Sequence, residues 1–259
     1  MTASSNGKQD GHEQLKRDLQ DLKLLQILEI YAETLDQAAN ETWSSLKLLS
    51  YLVGCEATAK TERAIQSRIK RARLPRMKTI EEYDFNFPKR IPKQLVLRVF
   101  DCDFIVNHGN VVFLGTQGTG KTHFLTALGY VACSKGISVR FTRVIEMINE
   151  LTTAQLAGNL GKALRAYTQP ALLLLDELGY LPVDKRGADL LFQVVAARYE
   201  NGSIVLSTNR RFKEWGAILD SDNTLATAMI DRLMHHGEAI VISGKSYRTK
   251  DNEGEIEAQ

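Results

Sequence analysis

Asn110-Val111-Val112-Phe113-Leu114-Gly115-Thr116-Gln117-Gly118-Thr119-Gly120-Lys121-Thr122 decides how this chain is read. An apolar run suited to a buried strand leads into the pattern G-x-x-x-x-G-K-[ST], and a helix-like segment, His123 to Cys133, follows. That order of strand, glycine loop and helix turns a pattern match into a phosphate-binding expectation. Gly115, Gly118 and Gly120 let the loop wrap so that successive backbone N–H groups point at phosphate oxygens. The positive end of the following helix adds to the attraction. Lys121 is expected to reach the β- and γ-phosphates, and the Thr122 hydroxyl to complete a Mg²⁺ shell. Thr116, Gln117, Thr119 and His123 are the remaining expected members of the cradle, with ATP as its ligand.

Downstream, strand-like and helix-like segments alternate. Ile137–Phe141, Ala171–Leu175, Ser203–Leu206 and Glu238–Ile242 read as strands, with helices over Val144–Leu156, Gly161–Tyr167, Arg186–Tyr199, Arg211–Leu219 and Leu225–His235 between them. Such alternation predicts a five-stranded parallel sheet flanked by helices, an α/β fold. Upstream of the loop a helix is expected over Lys93–Asp103.

Leu172-Leu173-Leu174-Leu175-Asp176-Glu177 is an apolar strand ending in two carboxylates at the sheet edge where ligands bind in open α/β folds. Asp176 is expected to hold Mg²⁺, directly or through water, and Glu177 to polarise a water for attack on the γ-phosphate. The next strand ends Leu206-Ser207-Thr208-Asn209, where Asn209 either bonds the γ-phosphate or the attacking water, or simply forms a turn.

Gln14 to Lys78 carries helical periodicity without a strand. Three short helices are expected, with Gly54 ending the second or marking a tight crossing and Pro75 stopping the third. From Lys60 to Lys78 eight cations (Lys60, Arg63, Arg68, Lys70, Arg71, Arg73, Arg76, Lys78) stand against one acid, Glu62. The run reads as either a solvated face or a surface for the phosphates of double-stranded DNA, which would bind with little sequence preference and strong salt dependence. Thr79 to Ile91 carries Tyr83, Phe85 and Phe87 and reads equally as a dock between modules or as a linker packing its own aromatics. The expected divisions are a disordered 1–12, a helical DNA-binding module over 13–78, a connector over 79–92, the nucleotide domain over 93–250 and a flexible tail over 251–259.

The 259 residues, 44% hydrophobic and 25% charged, suffice for one well-buried domain and a smaller one. No apolar run reaches the length of a membrane span, so no membrane association is expected. Cys55, Cys102 and Cys133 are widely spaced and read as reduced thiols of a cytoplasmic protein. The five histidines show no metal spacing; adjacent His235 and His236 are expected on different sides of a helix, and no structural zinc is expected.

Gly115–Thr122, Asp176-Glu177 and Thr208-Asn209, in that order, resemble Walker A, Walker B and sensor 1 of an AAA+ ATPase. With Ile230-Asp231-Arg232-Leu233, Ser246-Tyr247-Arg248, Arg71-Ala72-Arg73-Leu74-Pro75 and Ile80-Glu81-Glu82-Tyr83-Asp84-Phe85, the chain resembles the IstB-like AAA+ ATPases from about residue 15 to 250. The resemblance implies an ATP- and Mg²⁺-dependent transposition helper that assembles as a homo-oligomer on duplex DNA and activates an IstA-type transposase. It makes Arg232 an arginine finger reaching the neighbouring subunit and Arg248 the sensor 2 arginine. As bare sequence, either could be a surface ion pair. It also makes the second helix before the Leu172 strand a lining of the central channel, with Lys162 and Arg165 as phosphate contacts; as bare sequence that helix is simply solvated. Two departures stand out: Asp251–Ile256 is too weakly helical for a large lid, and Tyr83 stands where such chains often have Phe. The alternative readings are a helicase loader of the DnaC type, a small-molecule kinase and a passive DNA-bending scaffold.

Overall fold

The structure is a computed structural model and describes residues 4–87, 91–244 and 246–247. The chain divides into two units, Met1–Ser67 and Arg68–Gln259. The division falls within a helix, earlier than the expected boundary at residue 78.

The first unit holds α1 (Ser4–Asp21), α2 (Leu25–Asn40) and most of α3 (Ser45–Ala72). The expected break at Gly54 is absent, and α3 runs unbroken through it. Among the described residues, nothing lies within 4 Å of where a Gly54 side chain would stand. The glycine therefore serves no close crossing and costs only its helix propensity, about 1 kcal/mol. Regular structure also reaches into residues 1–12, since α1 begins at Ser4. Leu24, at the head of α2, offers no capping side chain. Glu56 of α3 supplies one instead, accepting the backbone N–H groups of Gln26 at 2.7 Å and Ile27 at 3.1 Å. A carboxylate at a helix N-terminus satisfies orphan donors and meets the positive end of the dipole.

The second unit is built on five parallel strands in the order β2-β3-β4-β1-β5. They are β1 (Asn110–Gly115), β2 (Val139–Arg143), β3 (Leu172–Leu178), β4 (Ser203–Thr208) and β5 (Gly237–Ile242). Side chains alternate across the pleat and feed two cores. Val111, Phe113, Leu172, Leu174 and Val205 pack with α4 (Lys93–Phe100) and α5 (Lys121–Ser134). Val112, Leu114, Leu173, Leu175 and Leu206 pack on the other side with α6 (Val144–Leu156), α8 (Lys185–Arg198) and α10 (Asn223–Met234). Burial on both faces explains why these strands read as continuous apolar runs. α7 (Leu160–Thr168) is the second helix expected between β2 and β3.

Some elements differ from expectation. α4 stops at Phe100 because Cys102 adopts a left-handed φ of 63°. The segment expected as one helix over Arg211–Leu219 splits into a 3₁₀ turn (Phe212–Glu214) and the short α9 (Trp215–Ile218). The described part of the connector does not stand apart: Ile80, Tyr83 and Phe85 pack on the Phe124 side of the core of the second unit. Among the described residues, no helix is long and apolar enough to cross a membrane.

Candidate functional site

The glycine loop leaves β1 at the carboxyl edge of the sheet and turns into α5. Gly118 and Gly120 take φ of 75° and 86°, the left-handed region that side chains rarely adopt. Space forbids a side chain as well: a Cβ on Gly120 would lie 2.3 Å from the Tyr83 ring, and one on Gly118 1.9 Å from Ser246 Oγ. Lys121 folds over the loop and donates to the carbonyls of Gly115 at 2.8 Å and Thr116 at 2.7 Å. Thr119 Oγ1 donates to the Thr116 carbonyl at 2.9 Å.

A cleft of about 350 Å³ opens over the loop, lined by Gln117 to His123 and by Glu177, Ser207, Thr208 and Asn209 from the strand ends. Much of its remaining wall is aromatic, formed by Tyr83, Phe87, Tyr180 and Tyr247. Tyr83 packs its ring 4.2 Å from that of Phe124, and its hydroxyl donates to the Thr119 carbonyl at 2.8 Å. Burial pushes its pKa up to about 12, so the phenol stays a neutral donor at any physiological pH. His123 Nε2 lies 2.6 Å from the Thr79 carbonyl and stands edge-on to Tyr83.

Asp176 is 1% exposed. Its Oδ1 accepts the Ser207 hydroxyl, whereas its Oδ2 is buried with no hydrogen-bond partner among the described residues. A second cavity of about 290 Å³ is lined by Asp176 and Arg143, and Thr122 lines both cavities. A buried carboxylate oxygen without a donor is costly unless a cation meets it. Asp176 and Thr122 therefore fit a bound Mg²⁺. Glu177 projects into the cleft with its side chain 41% exposed, and its Oε2 lies 3.4 Å from Arg143 Nε.

The other expected site residues are more dispersed. Arg232 does not line the cleft; it donates to the Ala228 carbonyl at 3.0 Å and lays its guanidinium 4.8 Å from the Phe192 ring centre. Arg248 lies outside the described residues. Lys162 and Arg165 are exposed on α7. Arg63 belongs to the first unit and pairs with Glu56 at 2.6 Å. Arg68, Lys70, Arg71, Arg73 and Arg76 belong to the second, where Arg73 pairs with Glu150 at 3.2 Å and Lys78 lines the cleft over the glycine loop. His235 and His236 do not diverge as expected. α10 ends at Met234, their rings lie 4.2 Å apart, and with exposed Glu200 they place one ligand atom each within 4.8 Å of the others.

Sequence reasoning missed the aromatic wall, Arg143 and Ser207. Arg143 ends β2 at the same sheet edge as Asp176, the one signal that could have pointed to it.

The sequence matches the family described as IstB-like ATP binding protein over residues 17–254. A protein of insertion sequence IS232 from Bacillus thuringiensis subsp. berliner, named for ATP binding, is 36% identical over 94% of this chain and 97% of its own length. One from insertion sequence IS21 of Pseudomonas aeruginosa, named likewise, is 37% identical over 84% of this chain and 82% of its own. Among solved structures, AMPPCP-bound DnaA from Aquifex aeolicus aligns with a TM-score of 0.54 at 20% identity, covering 72% of this chain and 56% of that one. DnaI aligns with a TM-score of 0.55 at 19% identity, covering 67% of this chain and 93% of its own. These structural likenesses are likenesses of fold.

Proposed function

The chain belongs to the IstB-like ATP-binding family, and from that premise we propose that it is the Mg²⁺-dependent ATPase of an insertion sequence. In this reading it assembles on duplex DNA, selects or remodels the target, and activates the transposase of the same element. The observation that carries the ATPase half is that buried Asp176 leaves Oδ2 without a partner among the described residues and shares a cavity with Thr122, which also lines the cleft over the glycine loop together with Glu177 and Asn209.

The chain's own groups divide the work. Loop N–H groups and Lys121 bind the phosphates, and Lys121 exchanges the carbonyls of Gly115 and Thr116 for phosphate oxygens. The aromatic wall of Tyr83, Phe87 and Tyr247 excludes water and offers ring faces to the base. Glu177 takes the proton of the attacking water, and Asn209 orients that water or the γ-phosphate. Bound Mg²⁺ supplies charge neutralisation at the phosphates. Arg232, which lies outside its own subunit's cleft, acts on a neighbour's, with Arg248 as the sensor 2 arginine. That arrangement ties turnover to assembly. The exposed cations Lys70, Arg71, Arg73 and Arg76, with Lys162 and Arg165, meet DNA phosphates.

Steady-state ATP hydrolysis with and without duplex DNA tests this reading. Lys121→Ala is expected to lose binding and turnover, and Glu177→Gln to bind ATP without hydrolysing it. If the unaltered chain turns over no nucleotide under any DNA condition, the enzymatic half is wrong. DNA affinity that does not fall with added salt would remove the phosphate-contact half.

A further inference from the structure

β3 does not run evenly along β4. Leu175 pairs with Leu206, but the next paired residues are Leu178 and Thr208, so three steps on β3 match two on β4. The extra residue makes a bulge, and the bulge holds Asp176 and Glu177. Bulges re-aim side chains at sheet edges. Here Glu177 takes a φ of 65°, a left-handed backbone that an ordinary side chain adopts only when its surroundings impose it.

Two adjacent hydroxyls of β4 impose it. Ser207 Oγ accepts the Glu177 N–H at 3.0 Å and donates to Asp176 Oδ1. Thr208 Oγ1 donates to the Leu178 carbonyl at 2.8 Å on the far side of the bulge. Ser207 is 1% exposed, so water cannot replace it in either bond. One hydroxyl therefore fixes the backbone that carries the general base. It also occupies one oxygen of the metal-binding carboxylate, leaving Oδ2 as the oxygen without a donor among the described residues.

We propose that Ser207 is a positioning residue, holding Glu177 in its left-handed conformation and turning Asp176 Oδ2 toward the cation. The assignment rests on the ATPase reading for its catalytic consequence, but its effect on cation binding does not require turnover.

The test compares Ser207→Ala and Ser207→Thr with the unaltered chain. Two quantities are read: the Mg²⁺ concentration at half-maximal tightening of a fluorescent ADP, and kcat and KM for ATP with duplex DNA present. Ser207→Ala is expected to bind metal-free ADP within twofold of normal. Its Mg²⁺ midpoint should rise at least fivefold, and its kcat should fall tenfold or more at little-changed KM. Ser207→Thr, which keeps the hydroxyl, should recover most of both. Should the alanine variant be insoluble, Ser207→Cys, close in size but a weaker donor, is expected to show the same raised midpoint. An unchanged Mg²⁺ midpoint in a folded variant overturns the assignment, as does an unchanged kcat where the unaltered chain turns over. Absence of turnover in the unaltered chain would instead refute the ATPase reading, and the Mg²⁺ midpoint would still decide for or against Ser207.

Discussion

Arg143, the last residue of β2, holds its Nε 3.4 Å from Oε2 of Glu177. The same guanidinium reaches Glu146 at 3.6 Å, so Arg143 bridges Glu177 and the first turn of α6. A carboxylate engaged by an arginine is less free to swing toward water.

Removing that engagement is expected to raise basal ATP turnover. Both partners are about half exposed, which limits the pair to at most about 1 kcal/mol. Arg143→Ala should therefore raise kcat without DNA by no more than about fivefold, with unchanged nucleotide affinity. A fall in basal turnover would mean that Arg143 assists the reaction.

The Tyr83 ring occupies the space that a Gly120 side chain would need. Gly120→Ala should displace the ring and strain a left-handed φ together, abolishing nucleotide binding in a fluorescent-nucleotide titration. Tyr83→Phe loses only the bond to the Thr119 carbonyl, about 1 kcal/mol, so affinity should weaken at most about tenfold. Tyr83→Ala also removes one ring of the aromatic wall and should weaken affinity further. Equal affinities in the two Tyr83 variants would show that the ring does not contact the nucleotide.

The strand, glycine loop and helix were legible because each states its geometry locally: an apolar run, glycines where φ must turn positive, then helical periodicity. The Asp176-Glu177 pair was legible because two adjacent acids closing an apolar strand sit at the ligand-binding edge of the sheet. Ser207 was not, since its role depends on a one-residue bulge in a strand far away in sequence. Nor was the placement of the connector, because Tyr83 and Phe85 declare themselves aromatic but not which surface they cover. Gly54 misled for the opposite reason. Local propensity says break, but the helical run of α3 on either side outweighs a cost of about 1 kcal/mol.

Arg198 is almost fully buried at the end of α8, yet no carboxylate pairs with it among the described residues. Its guanidinium donates to the carbonyls of Tyr167, Pro170, Ala171 and Ser203 at 2.8 to 3.0 Å and to that of Thr168 at 3.3 Å. It thus closes the C-terminal end of α7 and the approach to β3. Burial lowers its pKa to about 10, still well above neutrality, so the charge is kept. Arg198→Ala would strand several carbonyls at once and should cost on the order of 3–5 kcal/mol of stability in urea unfolding. A loss below about 1 kcal/mol would mean that water reaches those carbonyls.

Glu56 is the acid-sensitive point of the helical unit. Burial alone would raise its pKa, but the Ile27 N–H, the Arg63 guanidinium and the Gln26 N–H outweigh it and hold the group below its ordinary 4.5. A carboxylate depressed on folding stabilises the native state at pH above its unfolded pKa, and the contribution disappears as pH falls through the folded value. The head of α2 should therefore loosen in acid, below about pH 4.5, and stay intact from there to neutrality. Glu56→Gln removes the charge at every pH and should cost about 2 kcal/mol near neutrality, the scale of hydrogen bonds to a charged group. Amide hydrogen exchange at Gln26 and Ile27 reports it directly, faster at neutral pH in the variant and less sensitive to acid than in the unaltered chain. Exchange at those two amides that is unaffected by the substitution would show that the cap contributes nothing to α2.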